Sequence, residues 1–164
     1  MPQYSLLSEL ERKVILFNYE KRGQKNSLLS FARLSDDDRS FISTEGDYIL
    51  WELGKRKLLV EEVISHSWII MSKQNSPLIL KFNHKNHLQA GSLFEDKTVD
   101  GIWNLEGGIL SIFFRYEQRS YYIDIIANNK RSIHSALQIT DEQSIELLKV
   151  IPLCNAKYGT SLID

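Results

Sequence analysis

Four histidines, one cysteine and twenty-one carboxylates are the groups from which this chain could build a reactive site. His84-Lys85-Asn86-His87 is the nearest approach to a metal pair. Zinc takes three or four ligands at fixed geometry, so carboxylates would have to complete the set. Histidines three apart share a helix face, but this segment reads as a strand end running into a loop. His66 and His134 fall on other strands, far off in sequence. A polar loop with exposed histidines and no metal is the expectation. Asp36 and Asp38 have the alternate spacing that opens a calcium loop, but Phe41 stands where the sharp turn needs glycine and Asp47 where a bidentate glutamate is used. Solvated charge at a turn or helix start fits that segment better.

Nucleophilic catalysis is no better supplied. It needs an activated Ser or Cys beside an oriented histidine. Cys154 follows Pro152 and reads as a small buried hydrophobe. No Gly-x-Ser-x-Gly elbow occurs, nor a glycine-rich phosphate loop with a following lysine. Gly107-Gly108 belongs to a hairpin rather than to a nucleotide fingerprint. Glu61 and Glu62 are adjacent on an expected strand, so they point to opposite faces and cannot act as a pair. No catalytic residue, metal or cofactor is therefore assigned. The enzymatic reading that survives would have folding bring His66, His134 and Glu61 together, because convergent sites leave no sequential signature.

The elements that must position any site read as mostly β. At 164 residues the chain fits a single domain, 1–164, long enough for a core without covalent staples. One cysteine excludes an internal disulfide, and a cytoplasmic, reducing setting is the easier fit. Residues 1–12 lack the cationic and apolar regions of a signal peptide, and no window approaches a membrane span. Twenty basic residues against twenty-one acidic leave no basic excess, and Lys55-Arg56-Lys57 reads as a hairpin tip. Nucleic acid is thus a poor partner.

Internal similarity is the strongest organising signal. Leu50-Trp51-Glu52-Leu53 matches Ile102-Trp103-Asn104-Leu105, and Leu58 to Val63 matches Leu110 to Phe114. Trp68 to Met71 answers Tyr122 to Ile125, and Asn75 answers Asn129 in the turn that follows. A partial upstream copy runs through Val14 to Phe17 and Leu28 to Phe31. The spacing suggests units near 13–65, 66–119 and 120–154, a period of about fifty residues. Glu106-Gly107-Gly108, Gly54, Asn128-Asn129 and Asp100-Gly101 supply turns and strand starts. About ten strands are expected between Lys13 and Thr140. Ser35 to Arg39 and His84 to Phe94 read as loops. Thr140-Asp141-Glu142-Gln143 has capping-box spacing, and Ile145, Leu148 and Ile151 would share a helix face ending at Pro152. A short helix around Ser5 to Arg12 would bury Leu6, Leu7 and Leu10. The expected architecture is an antiparallel hairpin meander forming a curved sheet, incomplete barrel or sandwich, with this C-terminal helix packed on it.

Several strands are apolar on both faces, including Phe113-Phe114, Tyr121-Tyr122-Ile123 and Trp68 to Met71. Each must be covered twice, by protein or by a partner. The candidate binding residues are accordingly Trp51, Trp68, Trp103, Arg115, Tyr116, Tyr121 and Tyr122. Tyr and Arg are enriched at interface anchors. A non-enzymatic domain engaging a protein partner, of inhibitor, immunity or adaptor type, is the first expectation, and pairing of units across a homodimer is compatible with it. The alternative is a carrier of a small apolar ligand inside a barrel, with Trp51, Trp68, Trp103 and Phe114 lining the cavity.

Overall fold

The computed structural model describes residues 8–22, 42, 44–141 and 144–153. Leu6, Leu7, Leu28 to Phe31, Ser35 to Arg39 and Cys154 lie outside them. Strand β1 is the short Lys55–Arg56. Eight longer strands follow: β2 Ser67–Met71, β3 Leu78–Phe82, β4 His87–Ser92, β5 Thr98–Glu106, β6 Ile109–Tyr116, β7 Arg119–Asn128, β8 His134–Thr140 and β9 Ile145–Leu153. Each pairs antiparallel with the next, and β9 pairs back onto β2, so the sheet closes into an up-and-down barrel. Closure leaves these eight strands no free edge.

Side chains alternate between lumen and outer wall, which sets the register. Leu110, Ile112 and Phe114 on β6 face Ile125, Ile123 and Tyr121 on β7, all within the lumen cluster. Each such side chain contributes roughly 1.5–3 kcal/mol on burial. Where two large rings need room, β5 carries Gly101: a Cβ there would sit 2.5 Å from the Phe113 carbonyl oxygen and 2.8 Å from Phe114 Cβ.

The outer wall of β6 to β9 is apolar too, and helices cover it. Helix α1, Glu9–Phe17, starts on a capping box in which Ser8 Oγ accepts from Glu11 N–H at 3.2 Å. A π-helical turn, Asn18–Arg22, continues it. Helix α2, Gly46–Leu53, packs Tyr48 and Trp51 against Phe17, with ring centroids 5.3 and 5.6 Å away. Together they bury Ile109, Ile126, Leu137 and Ile139. Helix α3, Val60–Ser65, lies at one end of the barrel, where Leu58 and Val63 join the lumen core. Among the described residues no helix is long and apolar enough to cross a membrane.

Several expectations need correction. Residues Ile145–Leu153 form β9, the strand that closes the barrel, and not a C-terminal helix. Its faces read as a helical stripe because Leu148 and Val150 fill the lumen while Ile145 and Leu147 pack in the outer core. The sheet is a closed barrel, neither incomplete nor a sandwich. The repeat finds no support, since Trp51 sits on α2 whereas Trp103 sits on β5. Leu58 to Val63 likewise runs into α3 and not along a strand, so Glu61 and Glu62 are helical neighbours. Val14 to Phe17 is the buried end of α1, which begins later than Ser5 and leaves Leu10 exposed. A four-residue apolar run does not distinguish strand from helix. Within the expected loop His84 to Phe94, residues His87–Ser92 form β4, whose inward side chains Leu88 and Ala90 pair with Phe82 and Leu80.

Candidate binding site at the barrel mouth

The meander sends alternate connections to opposite ends, and the two ends differ. At the closed end a chain of rings fills the lumen: Trp103 to Phe82 at 5.9 Å, Phe82 to Trp68 at 6.5 Å, and Trp68 to His134 at 5.9 Å. The first two contacts are edge to face, the favoured aromatic geometry. Both indoles are anchored, Trp68 Nε1–H donating to the Val63 carbonyl at 3.0 Å and Trp103 Nε1–H to the Asn83 carbonyl at 3.1 Å. This half of the barrel is a packed core.

The opposite end keeps a cavity of about 210 Å³, lined by Ile70 on β2, Leu78 on β3, Ser92 on β4, Tyr116 on β6, Tyr121 on β7 and Gln138 on β8. Ser72, Asn75 and Ser76 of the β2–β3 loop, Glu95 of the β4–β5 loop and Glu117 of the β6–β7 turn form its rim. Tyr121 stacks on Phe114 at 5.2 Å, so the ring is braced from within the barrel. Gln138 is 5 % exposed, opens on the cavity and has no hydrogen-bond partner among the described residues. Its amide opens on the cavity, so its carbonyl oxygen and N–H groups are available to whatever fills that space. Thr140 Oγ1, one inward position further along β8, is also buried and unpartnered among the described residues.

The rim is acidic. Glu95 and Glu117 line it directly, and Glu146 Oε1 accepts from Ser72 Oγ at 2.7 Å and from Lys73 N–H at 2.8 Å. Burial and the neighbouring carboxylates Glu95 and Glu117 push the Tyr116 phenol up. The Lys97 ammonium lies 5.3 Å from the centre of the Tyr116 ring. Met71, Leu93 and Phe94 are exposed apolar residues close to this end in the chain.

Of the residues singled out from sequence, Tyr116 and Tyr121 meet in this cavity. Trp68 and Trp103 belong to the closed end, and Phe114 backs Tyr121. Trp51 is outside the barrel beneath α1, and Tyr122 packs on Phe113 at 4.6 Å on the outer wall. Arg115 is exposed. Trp51, Trp68, Trp103 and Phe114, the lining expected for a ligand carrier, are not among the residues that line this cavity. Gln138, Glu95 and Glu117 were missed. Gln138 carried a signal, a lone amide in an apolar strand, which has meaning only once both faces of β8 are known to be buried.

A second polar cluster lies toward the closed end. The Lys55 ammonium reaches Glu20 at 3.1 Å, Asn128 Oδ1 at 2.6 Å and Ser135 Oγ at 3.4 Å, and sits 4.8 Å from the Trp51 ring. Burial pulls its pKa down while Glu20 opposes that shift. All three of its donors are matched, so it ties α1's extension to β7 and β8. His134 Nδ1 accepts from Asn128 N–H at 3.1 Å, leaving the neutral ring's proton on Nε2, which has no partner among the described residues. His66 and His134 both contact the Trp68 ring, at 6.3 and 5.9 Å. Glu61 is exposed, while Glu62 is held by Arg56 through two contacts, one of 2.9 Å. Among the described residues no three His, Cys, Asp or Glu converge as metal ligands; His87 pairs with Asp100 at 3.3 Å. No protein-family model, curated protein or solved structure matches this chain.

Proposed function

We propose that the chain is a non-enzymatic binding protein that holds one small ligand in the mouth of its barrel, against a wall that is part polar and part apolar. The observation that carries this is the single-ended cavity with the unpartnered Gln138 amide on its wall. Eight-stranded barrels are either filled by side chains or hold one small ligand, and this one divides its lumen between the two. Its volume of about 210 Å³ falls below the roughly 300–1,000 Å³ of drug-sized sites, so the ligand is small. Ile70, Leu78 and Tyr121 offer apolar contact, and Gln138, Ser72 and Ser92 offer orientation. The test is ligand-observed NMR with a set of small aromatic fragments, comparing the protein with Leu78→Trp, which fills the cavity. Binding that is lost in a folded Leu78→Trp supports the proposal. No binding at millimolar concentration, or equal binding by both proteins, refutes it.

Engagement of a protein partner ranks second. Its support is the outward row Ile49, Leu50 and Leu53 on α2, with Leu50 71 % exposed. Against it, Trp51, Trp68, Trp103, Tyr116 and Tyr121 are buried and so are poor anchors. A stoichiometric complex in native mass spectrometry, abolished by Leu50→Glu and Leu53→Glu, would reverse this order.

A further inference from the structure

We infer that the ligand is a small organic cation, an amine whose apolar body enters between Ile70, Leu78 and Tyr121 while its ammonium stays at the rim beside Tyr116, Glu95 and Glu117. The assignment rests on the mouth being a ligand site and adds the charge of what binds there. Among the described residues no Lys, Arg or His lines the cavity, whereas two carboxylates do. A ligand carboxylate would be desolvated next to like charge, which is costly, and an ammonium would meet opposite charge. The rim also offers the Tyr116 and Tyr121 rings, and the face of a tyrosine ring attracts a cation. The chain's own Lys97 ammonium already occupies such a place on Tyr116. Deeper in, Gln138 is nine-tenths buried, unpartnered among the described residues and open to the cavity, so its carbonyl oxygen can accept from an N–H donor.

The turn that carries Glu117 agrees with this. Glu117 and Gln118 adopt φ of 49° and 66° in the two-residue β6–β7 hairpin, a conformation that favours Asn-Gly or glycines. The same problem at the other end of β6 is solved with Gly107 and Gly108, at φ of 59° and 80°. An acid is held at the mouth where a glycine would sit with less strain.

Calorimetric titration with three probes of one shape tests the inference: 2-phenylethylamine, 2-phenylethanol and phenylacetate. The expected order is amine, alcohol, acid, with the amine favoured about tenfold over the alcohol, as contacts of this type allow. The paired variant Glu95→Gln and Glu117→Gln should lose that preference and keep alcohol binding. Lys97→Gln, which removes the resident ammonium, should tighten the amine a few-fold. Alcohol or acid binding as well as the amine, or a preference that survives the paired variant, overturns the inference and leaves the ligand site standing. Absence of binding by all three overturns both.

Discussion

Replacing His134 by Asn should flatten the acid side of the stability profile. The imidazole is 1 % exposed, contacts Trp68, and accepts from Asn128 N–H through Nδ1. Protonation would bury a charge against the Trp68 ring and remove the Nδ1 acceptor that Asn128 N–H uses. Burial, with Arg56 and Lys55 nearby, pulls the pKa down from 6.5 to about 4, although Glu62 opposes the shift. The unfolded chain therefore takes up a proton at a higher pH than the native one. Between pH 6.5 and about 4 the unfolded state binds more protons, so stability rises with pH across that window. The contribution is complete above about pH 6.5 and is lost as pH falls toward 4. At roughly 1.4 kcal/mol per pH unit the full effect is about 3 kcal/mol. Asn places an oxygen where Nδ1 was, keeps the acceptor and cannot titrate. The variant gives up ring packing, so it starts less stable at pH 7.5. Urea unfolding followed by tryptophan fluorescence from pH 8 to 4 should show the gap narrowing by up to about 3 kcal/mol as pH falls. Parallel curves would refute the assignment of a buried neutral histidine, because every other titrating group is common to both proteins.

Three further outcomes follow from the same geometry. Gly108→Ala should destabilise by roughly 2 kcal/mol or more, because φ is 80° and the new Cβ would lie 2.7 Å from Lys57 Cα; chemical denaturation measures it. Gln118→Gly should stabilise by about 1 kcal/mol by relieving the left-handed strain in the β6–β7 turn, read as a higher urea midpoint. Lys55→Met should cost about 3–5 kcal/mol by leaving Glu20 without its cation, and adding Glu20→Gln should recover part of the loss in a double-mutant cycle.

Much of the barrel could be read from local chemistry. The turn at Gly107-Gly108 and the strands at Trp68 to Met71, Leu110 to Phe114 and Tyr122 to Ile125 are where residue types and alternation place them. What misled was the second apolar face. Strands β6 to β9 are buried inside by the lumen and outside by α1 and α2, so their apolar residues lose the period that identifies a strand. That is why β9 resembled a helix. It is also why Val14 to Phe17 and Leu50 to Leu53, the helical segments that cover this wall, resembled strands. The cavity was harder still. Tyr116 and Tyr121 were visible as aromatic candidates, but Glu95, Glu117 and Gln138 come from three separate segments that meet only when β9 pairs with β2 and the meander closes.

The most direct test of the mouth as a ligand site is a titration of ¹⁵N-labelled protein with the neutral probe 2-phenylethanol, followed by amide and carboxamide shifts. Saturable shifts should concentrate on the Gln138 side-chain amide and on the backbone of Ile70, Leu78, Ser92 and Tyr121, with the closed end around Trp103 unmoved. Shifts centred on the closed end or on α2, or no saturable shift at all, would contradict it.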